Sequence, residues 1–457
     1  MARPVPGSFR DPSGQVFLRE GVLYRQVNHA YRGDYEELLR SGLYQALVER
    51  RLLVPHQEDH QAQPLSGEAY KVLRPERIDF ISYPYEWCFS QLREAALATL
   101  CVQKLALEHD MSLRDASAYN IQFRGGRPVL IDTLSFERLP EGQPWVAYRQ
   151  FCQHFLAPLA LMAYRDLRLG RLLRLYPDGV PLDLATPLLP WRSRWRPSLL
   201  LHLHGHARSQ RRHAHRPASG KGRFGRRALQ GLVESLEAAV RRLRPKAAPS
   251  EWADYYATGD SYTSGGLAHK QELVGGFLAE VEPRSVWDLG ANTGMFSRIA
   301  SSAGFPTVAF DADPASVEIM YRRVVEEGEV HLLPLVMDLT NPSPGLGWAS
   351  EERTGMVERG PVDLVMALAL VHHLAIGNNV PLAEVAGFFR RLAEWLIVEF
   401  VPKSDPKVEL LLASRQDVFP HYTQEGFEQA FAAHFGLERK EPIKESERVL
   451  YLMRGRG

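Results

Sequence analysis

The chain has few cysteines, no long apolar run and no dominant charge, and each shortage removes a class of protein. Cys88, Cys101 and Cys152 are its three cysteines in 457 residues, far apart and without CxxC or Cys/His spacing. Neither a disulfide framework nor a zinc site follows, no metal is expected, and a reducing, cytoplasmic setting is the default. The longest apolar stretches, such as Phe155–Ala163, fall well short of the roughly 20 residues that span a bilayer. The opening MARPVPGSFRDPSG holds no apolar signal core, so neither a signal peptide nor a membrane span is expected. Lys and Arg number 55 against 54 Asp and Glu, so the molecule as a whole has no bias toward nucleic acid or membrane. What remains is 45% hydrophobic and 24% charged, the balance of a globular protein long enough for two or three domains.

Composition divides the chain. Residues 1–200 mix an extended opening (GQVFLREGVLYRQV), a helical pattern (YEELLRSGLYQALVERRLLV) and further short segments, and read as an α+β domain. Residues 201–250 turn to Arg, His, Gly and Ser, with a basic run from Arg208 to Arg227 and no acid until Glu234. They read as a solvated linker followed by a short amphipathic helix, ALQGLVESLEAAVRRLR. The run could contact nucleic-acid phosphates, but a tether is the plainer reading, and its histidines lack the fixed spacing of a metal site. Residues 251–457 form the third segment. From Ser285, short β-branched runs alternate with helix-period segments: SVWDL, TVAFD, VHLLPLV, VDLVMALAL and LIVEFV, then the helix TQEGFEQAFAAHF and the closing pair GLERKEPI and RVLYLMR. This pattern predicts an α/β, doubly wound parallel sheet ending in an antiparallel hairpin.

The most specific local feature is Asp288-Leu-Gly290-Ala-Asn292-Thr-Gly294, at the end of the first strand and the start of a helix. Glycines there permit a tight turn and close backbone approach to a ligand, while the helix start offers free N–H groups. A dinucleotide fingerprint would need glycines at 292 and 295, where Asn292 and Met295 stand. An acid before the loop suits a ligand carrying an ammonium and a sulfonium rather than a pyrophosphate. The second strand ends in Phe310-Asp311-Ala-Asp313, where Asp311 can accept from both hydroxyls of a ribose. The third ends at Val336-Met337-Asp338, beside the expected place of an adenine amino group. The fourth leads into LALVHHL, with Leu370, His372 and His373 at the strand's carboxyl end.

In this order DLGANTG, FDADP, MDL and LALVHHL resemble class I methyltransferases, over roughly residues 252–457, and the half is similar to bacterial nodulation-type methyltransferases. The resemblance implies a seven-stranded Rossmann-like sheet and S-adenosylmethionine as cofactor. It implies that Asp288, Gly290, Asn292 and Gly294 cradle the methionine part, Asp311 the ribose and Asp338 the adenine edge, with Leu370 beside them. Asn292 stands where many relatives have glycine. The segment WADYYATGDSYTSGGLAHK resembles the lid of such enzymes, with Tyr255, Tyr256, Tyr262 and Lys270 as candidates.

Methyl transfer needs an in-line nucleophile and, for a hydroxyl or thiol acceptor, a general base. His372 and His373 are the candidate bases, and Glu399, at the end of the fifth strand, the candidate to orient one of them or to bind an acceptor amine. The Asn/Asp-Pro-Pro-Tyr type of motif is absent after the fourth strand, which disfavours exocyclic base nitrogens, and the VHHL form resembles enzymes acting on small molecules, lipids or sugars. In the N-terminal domain, Asp115 and Asn120 followed by Asp132 resemble the catalytic and metal-binding loops of kinase-like folds. By that resemblance Asp115 is the base, and Asn120 and Asp132 hold magnesium. No glycine-rich phosphate loop or VAIK-type lysine accompanies them, and DTL replaces DFG. Tyr83, Tyr85, Trp87 and Phe89 read as core. The expected function is a two-domain methyltransferase whose N-terminal domain recognises the acceptor. The alternatives are a phosphotransferase–methyltransferase and a non-catalytic nucleic-acid-binding adaptor.

Overall fold

The computed structural model describes residues 2–205, 224–245, 262–413 and 416–456. Tyr255, Tyr256 and residues 208–223 of the basic run lie outside them. The chain forms two compact units, one of residues 1–248 with 345–353, the other of 249–344 with 354–457.

The N-terminal unit opens with an antiparallel sheet built from β1 (Arg3–Pro4), β2 (Gly14–Arg19), β3 (Val22–Asn28), β4 (His56–Glu58) and β5 (Ala69–Pro75), in the order β1-β2-β3-β5-β4. Glu20 and Gly21 join β2 to β3 with φ of 53° and 80°, the pair of positive angles that a two-residue hairpin matching the strand twist requires. The helical pattern after Tyr35 is not continuous. It breaks into α1 (Arg32–Arg40) and α2 (Leu43–Glu49) at Gly42, whose φ of 80° leaves the helix. The final Leu52-Leu53-Val54 pairs with the backbone of Leu130 instead of coiling.

Next comes α3 (Phe89–Glu108), then β6 (Met111–Leu113), the hairpin β7 (Ile121–Arg124) and β8 (Arg127–Leu130), and β9 (Phe136–Arg138), which pairs with β6. Tyr83, Tyr85, Trp87 and Phe89 are core residues. A later helix, α4 (Ala157–Tyr164), is apolar all round and accordingly buried. The amphipathic helix that the sequence attaches to the linker, α5 (Arg226–Arg242), belongs to this unit. Its Leu229, Val233, Leu236 and Val240 are buried, it packs on α3, and Glu237 pairs with Lys104. The heptad-like spacing of its apolar residues explains why: one face must be covered.

The C-terminal unit is a single seven-stranded sheet. Parallel strands β10 (Val286–Leu289), β11 (Thr307–Asp311), β12 (Leu332–Val336), β13 (Val362–Ala367) and β14 (Ala393–Phe400) are completed by antiparallel β15 (Phe435–Pro442) and β16 (Val449–Gly455). The order is β12-β11-β10-β13-β14-β16-β15, so the hairpin inserts its second strand next to β14 and leaves β15 at the edge. Strands such as β13 are buried almost end to end, as parallel strands covered on both faces must be. The crossovers are α7 (Met295–Ser302), α8 (Pro314–Glu327) and α9 (Leu382–Leu392); α6 (Ser264–Val281) precedes β10 and α10 (Gln424–Ala432) precedes β15. Strand order reverses between β10 and β13. At such a switch point the loops leave the carboxyl edge in opposite directions and open a crevice.

Candidate functional site

The crevice begins with the turn from β10 to α7. Gly290, Asn292 and Gly294 all have positive φ, at 77°, 52° and 82°. Asparagine tolerates this conformation better than other non-glycine residues, which is how Asn292 replaces a glycine without opening the turn. Space also demands the glycines. A Cβ on Gly294 would lie 2.8 Å from the Met320 side chain, and one on Gly290 would lie 3.2 Å from Leu370 Cδ1. Leu370, itself buried, thus forms a wall against the loop.

Asp311 ties the loop down. One carboxylate oxygen accepts the Asn292 N–H at 2.7 Å and the other the Asp313 N–H at 2.8 Å. Asp313 caps α8 by accepting from the N–H groups of Ala315 and Ser316. Asp288 is buried beneath the turn and accepts from the Ser297 hydroxyl. Burial raises both Asp288 and Asp311 to about 6, against the stabilising hydrogen bonds each accepts. Among the described residues neither forms an ion pair. Asp338 lies after β12, where it accepts from the N–H and hydroxyl of Thr340 in a local turn.

The other half of the crevice holds a buried charge network. Glu399, wholly buried at the end of β14, accepts from Lys270 Nζ at 2.7 Å and from the Ala369 N–H at 2.8 Å, and it also accepts from the Tyr262 hydroxyl. Arg448 lies 3.5 Å from Glu399, donates to the Tyr262 hydroxyl at 2.6 Å and pairs with Asp405 at 2.7 Å. Lys270 Nζ also sits 4.4 Å from the Phe296 ring centre. Burial works to raise Glu399, yet Lys270 and Arg448 hold it below the usual carboxylate range; burial pulls Lys270 down against the attraction of Glu399. The network fixes a strained turn, because Ala369, which donates to Glu399, has a φ of 49°. That turn carries Leu370 and the two histidines.

His372 is wholly buried, and neither ring nitrogen has a hydrogen-bond partner among the described residues. Its ring centre lies 4.1 Å from that of His373. Burial lowers both, His372 well below the ordinary histidine value and His373 to about 4. Glu399 therefore does not hydrogen-bond His372. Of the lid candidates, Tyr262 and Lys270 join the network. Arg448 and Asp405 had no signal in the sequence beyond their charge.

In the N-terminal unit, Asp115, Asn120 and Asp132 come together. The Asn120 amide donates to the Ser135 hydroxyl at 3.2 Å, and the Asp115 carboxyl is raised by burial and by the nearby charge of Asp132. Asp115 accepts from Ser117 N–H at 2.9 Å and from Gln150 at 2.7 Å. Asp132 accepts from Ser135 and Leu134 and pairs with Arg25 of β3. His202 bonds Tyr148 and Ser235, and His204 bonds Ser193. Among the described residues there is no group of three metal-ligating side chains, and no helix is long and apolar enough to cross a membrane.

No family model matches the chain. Among solved structures it is similar to magnesium protoporphyrin IX methyltransferase (ChlM) from Synechocystis PCC 6803 with bound SAH, at 19% identity and a TM-score of 0.30, over 42% of this chain and 84% of that one. It is also similar to the N-methyltransferase NodS from Bradyrhizobium japonicum WM9, at 10% identity and a TM-score of 0.32, over 42% and 98%. A much fuller likeness is to the nodulation protein NoeA of Rhizobium meliloti (strain 1021), 35% identical over 455 residues, which are 98% of this chain and 95% of the relative. On that near-complete match, the chain belongs to the family of the nodulation protein NoeA.

Proposed function

We propose that the C-terminal unit binds S-adenosylmethionine at the turn from β10 to α7 and transfers its methyl group to a small-molecule, lipid or sugar acceptor, with acceptor recognition assigned to the N-terminal unit. The observation that carries this reading is the pair Asp288 and Asp311. Two buried acids that form no ion pair among the described residues, held under a turn of three positive-φ residues, fit a ligand bearing positive charge. The start of α7 offers backbone N–H groups to the ligand's carboxylate. Each Asp311 oxygen keeps a lone pair for a ribose hydroxyl after accepting from Asn292 and Asp313. Asp338 stands for the adenine edge and Leu370 for the wall beside it.

The bound cofactor supplies an already activated methyl group, so the chain's task is to position the acceptor and receive its proton. His372 is suited to the second task. Its lowered pKa keeps it a neutral imidazole at the cost of basicity, and neither of its nitrogens has a hydrogen-bond partner among the described residues. His373, also neutral, is the alternative. Glu399 acts through the turn at Ala369, which sets where Leu370 and His372 stand. Calorimetric titration of S-adenosylmethionine into wild type and Asp311→Ala tests the reading: micromolar binding lost in the variant supports it, and no binding to wild type overturns it.

A second reading, phosphoryl transfer by the N-terminal unit, is favoured by the convergence of Asp115, Asn120 and Asp132, an oxygen-rich set that suits magnesium. Against it stands Arg25, whose guanidinium already occupies Asp132. Titration of ATP with magnesium into the same wild-type sample decides: binding lost in Asp132→Asn supports a nucleotide site, and no heat of binding rejects it.

A further inference from the structure

The N-terminal unit carries one surface that neither reading uses. Around the turn Trp191–Trp195, two tryptophans stand 72% and 76% exposed, with ring centres 6.0 Å apart, and Leu201 follows at 61%. Their exposure comes from a firmly held backbone. Ser193, on the inward side of the same turn, is wholly buried, donates to the Pro190 carbonyl at 2.7 Å and bonds His204 at 2.9 Å. Leu199 and Leu203, which alternate with the exposed residues, are buried. The fold thus turns Ser193, Leu199 and Leu203 inward and presents the two tryptophans, with Leu201, outward. Burying them would remove several hundred Å² of apolar surface from water, so a face left open in this way is the mark of a partner.

Charge identifies the partner's chemistry. Arg192, Arg194 and Arg196 are exposed and interleave with the two tryptophans. No acidic residue occurs between Asp183 and Glu234. A second copy of the same face would bring these arginines against one another. Tryptophan, with an apolar body and a polar N–H, settles at the level of lipid headgroups, and arginine beside it is drawn to anionic ones. We infer that the Trp191–Leu201 face docks the protein peripherally on an anionic phospholipid surface, with Trp191, Trp195 and Leu201 entering the interface and Arg192, Arg194 and Arg196 meeting the headgroups.

The test is co-sedimentation of the full chain with vesicles of pure phosphatidylcholine and of phosphatidylcholine with 30% phosphatidylglycerol, at about 0.1 M salt. Wild type is expected to partition onto the anionic vesicles and much less onto the neutral ones. Each arginine near such a surface contributes about fivefold, so Arg192→Gln/Arg194→Gln/Arg196→Gln should weaken anionic binding about 100-fold. Trp191→Ala/Trp195→Ala should lose at least tenfold on the anionic vesicles, with an unchanged far-ultraviolet spectrum, since both side chains stand in solvent. Failure of wild type to bind anionic vesicles overturns the inference, as does binding that survives in both variants, which would locate it elsewhere on the chain. Two other outcomes also reject it: a concentration-dependent dimer that Trp191→Ala/Trp195→Ala abolishes, without lipid binding, gives the face to a second copy; salt-sensitive capture of an oligonucleotide, again without lipid binding, gives it to nucleic acid.

Discussion

Lowering the pH from 7 to 5 should weaken S-adenosylmethionine binding about 100-fold while leaving the fold intact. Asp288 and Asp311 are both raised to about 6, chiefly because burial disfavours their charged forms. On the proposed reading ionised Asp288 attracts the ligand's positive charge and ionised Asp311 accepts from both ribose hydroxyls, so binding must first remove any protons they carry. At pH 7 each acid is about 90% ionised; at pH 5 about one in eleven is, and the two together give a factor of about 100, or ~2.7 kcal/mol. Isothermal titration in two buffers of different ionisation enthalpy measures the coupling directly. It should find nearly two protons released per ligand at pH 5 and well under one at pH 7.5. Asp288→Asn should remove one of those protons and flatten the affinity profile by about tenfold. An affinity that stays level between pH 5 and 7, or binding without proton release at pH 5, would refute the reasoning. In either case the two acids would not be what holds the ligand.

The same shift has a consequence for stability without ligand. A carboxyl whose folded pKa lies above its unfolded value of 3.8 stabilises the fold most at and below about pH 4, and that contribution is lost as pH rises through 6. Urea unfolding should therefore show the C-terminal unit losing up to ~3 kcal/mol per acid across that window, and Asp288→Asn should remove one share. Lys270→Met should cost about 3–5 kcal/mol, because it strands the buried charge of Glu399, and adding Glu399→Gln should recover part of that loss in a double-mutant cycle. Gly294→Ala should cost about 2–4 kcal/mol by the same measurement, from its left-handed backbone and its contact with Met320. At pH 5 the ring nitrogens of His372 and His373 should resonate as neutral imidazole, where an unperturbed histidine would be about 97% charged; a charged signal from His372 would remove it as proton acceptor.

The sheet was legible because its signals are local. Each parallel strand is a short run of β-branched and aliphatic residues, and the sequence segments from Ser285 onward coincide with the observed strands to within a few residues. The turn at 288–294 was legible for the same reason: the glycines and the acid that build it are neighbours in sequence. The charge network was not. Lys270, Glu399, Asp405 and Arg448 come from α6, the end of β14, the loop after it and the residue before β16, and nothing in their own neighbourhoods announces that they meet. Single acids and bases before strands are common as solvated ends, and only the fold reveals that these are buried. The N-terminal helix pattern misled in the other direction. Apolar spacing ran on past Glu49, but Gly42 could adopt a left-handed angle and Leu53 found a strand to pair with, so tertiary contact overrode period.

Charge also separates the two halves of the crevice by task. On the side of β14, two acids meet two bases. Glu399 and Asp405 are matched by Lys270 and Arg448, every oxygen of Glu399 has a donor, and the sum is neutral. Such a set attracts no charged ligand. Its energy goes into holding Ala369 at a positive φ, and with it the turn that presents Leu370 and His372. On the side of β10 and β11 the matching is weaker: among the described residues Asp288 and Asp311 form no ion pair, Asp288 feels Lys270 only at longer range, and burial leaves both partly protonated near neutral pH. A protein that invested only in stability would pair these acids as it paired Glu399. Leaving them unpaired destabilises the free chain and is recovered when positive charge arrives. On the proposed reading the neutral half is scaffold and the anionic half the binding site, and His372, lodged on the scaffold with no hydrogen-bond partner among the described residues, is the group left for chemistry.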